Sequence, residues 1–239
     1  ASEIYHAMTL GLPDRGGVAM ASADEISALA CCIGASLRGS LAMTATSGPG
    51  WCLMIESLGY ALMTETPVVV VVVQRLGPST GAATQGAQGD VALVSASAAG
   101  GYTFPVLAPS TAEECYEDTV RAFHWAERLR SPVVVLSDKE VAMTAEVVDL
   151  DRCASGPVAP RAAFEGGGIF QTYGWTTEGQ PPPFVPVGGA WPVNVTGSAH
   201  DRVGNLKKAD PETLANLETS RRRSTRPNPS WGASTSTAK

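Results

Sequence analysis

The sequence has no apolar run long enough to span a membrane. The longest, Val68–Val73, is bounded by Pro67 and Gln74, far short of the roughly 20 residues that cross a bilayer. It also lacks an excess of positive charge. Lys and Arg number 17 against 23 Asp and Glu, a formal net charge of −6, which argues against sequence-independent nucleic-acid binding. The opening residues, ASEIYHAMTL, show no basic n-region of a secretory leader, so a cytoplasmic protein is expected. Cysteine is scarce: Cys31, Cys32, Cys52, Cys115 and Cys153 are odd in number and form no CxxC. Neither a disulfide framework nor an iron–sulfur cluster held by this chain alone is expected. His6, His124 and His200 have no metal-ligand spacing. The patterns GxxxxGK(S/T) and GxGxxG are missing, which removes the usual glycine-rich phosphate cradles.

What is present is alternation. Gly17–Met20 reads as a strand. Ser22 then opens a helix to about Leu37, with Ile26, Leu29, Ala30, Ile33 and Leu37 on one stripe. Leu41–Ala45 reads as a second strand and Trp51–Met63 as a helix. Pro67–Val73 has no apolar–polar alternation, the mark of a strand buried on both faces of a parallel sheet. A polar loop, Gln74–Asp90, is followed by a helix over Val91–Ala99 and a short strand at Phe104–Leu107. A capping box, Ser110-Thr111-Ala112-Glu113, opens a helix to about Arg130, and Pro132–Leu136 is a last strand. The predicted fold class is α/β, a parallel sheet with helices on both faces, over residues 1–150. Beyond Leu150, Pro, Gly and Thr dominate and helical periodicity almost vanishes. Residues 151–219 are expected to form an irregular arm on the domain or a neighbour, and 220–239 a disordered tail.

Three places carry candidate chemistry. The loop Gln74-Arg75-Leu76-Gly77-Pro78-Ser79-Thr80-Gly81 leaves the carboxyl end of the most buried strand, the edge at which open α/β sheets bind ligands. Arg75 can meet an anion there and Ser79 and Thr80 offer hydroxyls, although a solvent loop with a surface arginine fits as well. Glu25 reads two ways: as the fourth residue of a capping box with Ser22, or as a carboxylate facing a cleft. The corner Thr46-Ser47-Gly48-Pro49-Gly50 turns a strand into a helix with very little side chain. A tight turn capped by Ser47 explains it.

In order and spacing, ADEISALACCIGASLRGSLAMTATSGPGWCLMIESLGYAL, TPVVVVVVQRLGPSTGAATQGAQGD and SPVVVLSDK resemble the alpha subunit of 2-oxoacid:ferredoxin oxidoreductases, most closely the 2-oxoglutarate synthase type. The resemblance spans about Ser2 to Lys139 and continues more weakly at VTGSAHDRVGN, Val195–Asn205. It implies the pyrimidine-binding domain of a thiamine diphosphate enzyme. Glu25 would then be catalytic, its carboxylate at the cofactor's pyrimidine N1′ favouring the imino tautomer. Thr46, Ser47, Gly48 and Gly50 would line the cofactor. Arg75 would hold the substrate carboxylate, with Ser79 and Thr80 beside it.

The implied reaction is oxidative decarboxylation of a 2-oxoacid, with 2-oxoglutarate as best guess, to an acyl-coenzyme A with reduction of ferredoxin. No GDG…N segment for diphosphate and Mg²⁺ occurs, nor a cluster-binding cysteine set. A beta subunit is therefore expected to supply diphosphate, Mg²⁺ and an iron–sulfur cluster, in an alpha–beta dimer of dimers, and this chain alone is expected to be inactive. The family's Y-P-I-T-P-like motif and later transketolase-C-like domain are absent, and Leu76-Gly77 stands where Gly-Gly is usual, so the chain reads as a fragment or a minimal version. Two rivals share the fold: the pyrimidine half of a non-oxidative decarboxylase, and a catalytically silent scaffold subunit.

Overall fold

The computed structural model describes residues 1–153, 156–175, 181–208 and 210–225. Its centre is a four-stranded parallel sheet in the order β1-β2-β4-β3, formed by β1 (Met43–Ser47), β2 (Val68–Gln74), β3 (Val106–Leu107) and β4 (Pro132–Asp138). All three pairings are parallel. Every residue of β2 is buried. Its valines split by parity, as successive strand side chains must. Val68, Val70 and Val72 pack with Leu29, Trp51, Met54 and Leu58 of α2 (Glu25–Leu37) and α3 (Gly48–Met63). Val69, Val71 and Val73 pack with Ala122 and Ala126 of α5 (Ala112–Leu129) on the other face. A core on both faces is why this run never alternates with polar residues. Each fully buried valine contributes roughly 1.5–3 kcal/mol relative to exposure. The remaining helices are α1 (Ser2–Gly11), α4 (Asp90–Ser95), α6 (Lys139–Met143) and α7 (Pro211–Thr225).

Several boundaries differ from expectation, each for a local reason. Gly17–Met20 is not a strand. Val18 and Met20 are 82 % and 62 % exposed, and the outer edge of β1 pairs with no strand among the described residues. α2 starts at Glu25 rather than Ser22, because Asp24 is its N-cap and accepts the Ser27 N–H at 2.8 Å. Asp is among the strongest N-cap residues, and Ser22 instead bonds the Ser27 hydroxyl at 2.8 Å. The capping box of α5 is shifted by one residue. Thr111 caps the Glu114 N–H, and the Glu114 carboxylate accepts from the Ser110 N–H and hydroxyl. The helix expected over Val91–Ala99 covers only Asp90–Ser95. Beyond it, Ser97 is buried and accepts the Trp51 indole N–H at 2.8 Å.

The arm is irregular up to residue 208, but it ends in α7. Asp210 accepts the Thr213 N–H at 2.8 Å as an N-cap, with Pro211 at the first helical position, a favoured place for it. Disorder from residue 220 is therefore corrected for 220–225, which continue α7; the remainder of that tail lies outside the described residues. The arm grips the sheet's amino edge. The Arg161 guanidinium pairs with Glu127 of α5 at 2.5 Å and donates to the Ser36 carbonyl and hydroxyl of α2, so one side chain ties both helix layers. Glu65, only 5 % exposed, accepts from the Trp175 indole and the Arg223 guanidinium, both at 2.5 Å.

Candidate active site

The predicted residues meet at the carboxyl edge of the sheet, and the topology explains why. α2 runs back to the amino edge before β1 begins, so its first residue, Glu25, lies level with the end of β1. The register pairs Ser47 with Val73 and Gln74 with Asp138, which sets the exits of β1, β2 and β4 side by side. The corner Gly48-Pro49-Gly50 is the first turn of α3 itself. Ser47 occupies the N-cap, but its hydroxyl makes no capping bond, so the expected side-chain cap is corrected. Proline costs nothing there, since first-turn N–H groups have no intrahelical partner. The backbone N–H groups of Gly48 and Gly50 remain at the positive end of a 16-residue helix.

The two glycines of that turn face in nearly opposite directions, about 200° apart around the helix, and each is pressed by a different carboxylate. A Cβ at Gly50 would lie 2.1 Å from Thr46 Oγ1 and 2.8 Å from Glu25 Oε1. A Cβ at Gly48 would lie 2.6 Å from Asp90 Oδ2. A methyl at either position would force the facing side chains to shift. Glu25 is half-buried and makes no hydrogen bond or ion pair among the described residues. The capping role weighed for it is corrected, because Asp24 has taken it.

On the Gly48 side lies a cavity of about 250 Å³, lined by Gly48, Pro49, Cys52, Arg75, Ser79 and Asp90, with Gly77, Pro78 and Leu93. The loop after β2 folds back on itself to form its wall. The Ala82 N–H donates to the Leu76 carbonyl and the Leu76 N–H to the Gln85 carbonyl. Gly81 sits in the left-handed region, where a Cβ would fall 1.8 Å from the Leu76 oxygen, so glycine is required. Arg75 Nε and Asp90 Oδ2 are buried without a hydrogen-bond partner. Burial pushes the Asp90 carboxyl above its ordinary range, opposed by the backbone N–H and guanidinium of Arg75. Thr80 is exposed and does not line this cavity. Sequence reasoning missed Asp90. Its signal was an acidic residue at the first turn of a helix that directly follows a strand-exit glycine loop. A larger cavity, about 570 Å³, lies at the opposite edge between α5 and the arm and includes none of the predicted site residues.

The family model described as "Pyruvate flavodoxin/ferredoxin oxidoreductase, thiamine diP-bdg" matches residues 1–159. The chain belongs to this family. Within it, the chain is 41 % identical over 217 residues to the 2-oxoglutarate synthase subunit KorA of Methanothermobacter marburgensis, covering 89 % of this chain and 56 % of that protein. It is 48 % identical over 150 residues to the corresponding subunit of Archaeoglobus fulgidus, covering 63 % of this chain and 43 % of that one. Among solved structures, the 2-oxoglutarate:ferredoxin oxidoreductase of Magnetococcus marinus, with 2-oxoglutarate, coenzyme A and succinyl-CoA bound, superposes with a TM-score of 0.84 at 33 % identity, over 94 % of this chain and 39 % of that one. The chain spans about half the length of the curated relatives it matches. As an alpha-subunit member of this oxidoreductase family it carries the thiamine-diphosphate-binding domain. No helix among the described residues is long and apolar enough to cross a membrane.

Proposed function

We propose that this chain supplies the pyrimidine side of a thiamine diphosphate site in a 2-oxoacid:ferredoxin oxidoreductase that converts 2-oxoglutarate to its acyl-coenzyme A and reduces ferredoxin. The observation that carries the reading is Glu25: a half-buried carboxylate at the sheet's carboxyl edge, pressed against a glycine and free of any protein partner among the described residues. A carboxylate so placed fits a cofactor that must be held through a protonated ring nitrogen. Gly50 and Thr46 shape its surroundings, while Ser47 and Gly48 bring bare backbone to the same cleft. When bound, the cofactor supplies the nucleophilic carbon and the electron sink for decarboxylation. Glu25 would hold a proton at the pyrimidine N1′ of the bound cofactor. Arg75 orients the substrate by its carboxylate through a charge-assisted contact. Ser79 adds a hydroxyl at the cavity wall.

The choice of 2-oxoglutarate rests on the names of the relatives. A beta subunit contributes the diphosphate and Mg²⁺ side and an iron–sulfur cluster, in a cytoplasmic alpha–beta dimer of dimers whose partners are coenzyme A and ferredoxin. The chain by itself is inactive. Anaerobic co-expression with the neighbouring subunit gene tests this reading. The expected result is acceptor reduction that requires 2-oxoglutarate and coenzyme A, lowered by 10²-fold or more in Glu25→Gln with assembly retained. Unchanged turnover in an assembled Glu25→Gln enzyme would falsify the cofactor role. Aldehyde release without acceptor reduction would replace the oxidoreductase by a simple decarboxylase.

A further inference from the structure

The Arg75 cavity contains an imbalance that the function above leaves unexplained. Its wall carries one cation, Arg75, and one carboxylate, Asp90, each with a buried polar atom that no described residue satisfies: Nε, a donor, and Oδ2, an acceptor. Leaving such atoms unpaired is costly. A 2-oxoacid offers acceptors only. Its carboxylate satisfies Arg75 Nε but repels an ionised Asp90. The two demands are reconciled if Oδ2 carries a hydrogen.

We propose that Asp90 is a second carboxylate-binding group beside Arg75: on substrate binding it takes one proton from solvent and donates the resulting O–H to the carboxylate that Arg75 holds. The proton balance is simple. Two carboxylates and one solvent proton give one carboxylic acid hydrogen-bonded to one carboxylate, with the guanidinium as the remaining counter-charge. This rests on reading Arg75 as the substrate anchor.

The surroundings favour it. Asp90 opens α4, whose other residues, Val91 to Ser95, carry no charge. From the loop that follows β2 it faces Arg75, the only cation on the cavity wall among the described residues. From α3 it meets Gly48, with Cys52 further along the wall. Glu25 of α2 lies at Gly50, around the far side of the same turn, and Ser79 from the loop is neutral. The empty cavity is thus near charge balance, and the one substrate carboxylate that Arg75 holds adds a negative charge there that a single proton removes. Burial has already moved the Asp90 carboxyl towards the protonated form.

The test is the KM for 2-oxoglutarate in the assembled enzyme between about pH 6 and 8.5. For the wild type it should rise by about tenfold per pH unit above the Asp90 pKa, the slope of one linked proton. In Asp90→Asn, whose amide donates without taking up a proton, the profile should be flat, so the ratio of the two isolates Asp90 from other titrating groups. Parallel profiles overturn the proposal. Arg75→Gln separates the two levels of the argument. It should raise KM by about ten- to a hundredfold; if it does not, the anchor reading has failed and Asp90 falls with it. If it does while the profiles stay parallel, only the Asp90 inference is lost. Should Asp90→Asn not assemble, the wild type alone decides. The heat of binding 2-hydroxyglutarate, which lacks the reacting keto group, is compared in phosphate and Tris. About one proton taken up per ligand supports the proposal, and none overturns it.

Discussion

Single residues carry the clearest tests. The two glycines of the first turn of α3 are expected to fail differently. Gly50→Ala drives a methyl into Thr46 and Glu25 and should lower kcat in the assembled enzyme, while Gly48→Ala drives one into the Asp90 carboxyl and should raise KM. If both variants move the same parameter, the division of the cleft by that turn is wrong. Thiol chemistry gives an independent check. Burial pushes the Cys32 thiol up to about 11, whereas Cys31 and Cys52 are exposed. Only the thiolate reacts, so alkylation at pH 8 followed by peptide mass analysis should find Cys31 and Cys52 labelled well before Cys32. At this scale the sequence was partly legible. Glu25 and Arg75 stood out through the family resemblance, since from pattern alone a capping carboxylate and a surface arginine explained them as well. Asp90 did not, because its importance comes from burial beside Arg75 and Gly48, which lie 15 and 42 positions away in the chain. The misreading of Glu25 as a possible cap had a physical cause: Ser22 and Asp24 are both good cap residues, and only backbone geometry chooses between them.

Among the elements, helices α2 and α3 each contain an interior glycine with open space around its missing Cβ, Gly34 and Gly59. Gly34→Ala and Gly59→Ala should each stabilise the fold by about 0.5–1 kcal/mol, read as a higher urea midpoint with an unchanged slope. A loss of stability at either would show that these glycines serve a contact the chain does not make internally. The long elements were readable from pattern alone. β2 and β4 are valine runs without alternation, and α5 has a strong apolar stripe on a charged background. The short ones were mixed. β3, two residues long, falls inside the strand expected at Phe104–Leu107, whereas Gly17–Met20 has strand composition with nothing in the described chain to pair against. α7 was missed for another reason. It is a polar helix set by Asp210, Pro211 and exposed Glu218–Arg221 and Glu218–Arg222 pairs, which hydrophobic periodicity does not detect.

For the molecule as a whole, Glu65 is the residue on which the arm depends. Glu65→Ala leaves the Arg223 guanidinium and the Trp175 indole without their acceptor. Breaking a buried pair of this kind costs about 3–5 kcal/mol. Chemical denaturation should show that loss, and limited proteolysis should cut the variant first on the amino-terminal side of α7. Wild-type stability in the variant would make the cluster a surface contact. The arm's other holds have one thing in common. Val187 bonds Leu37, His200 bonds the Met63 carbonyl, and Arg130 bonds Thr172. With Arg161 on Ser36 and Glu127, these holds sit at helix ends and turns that lead into the strands, while at the other rim Cys153 lies beside Glu113 in the first turn of α5. In mechanical terms, the polar load path from the carboxyl-terminal segment enters the sheet chiefly at one rim. Tension in those holds is therefore taken up some five to seven residues of strand away from Glu25 and Arg75.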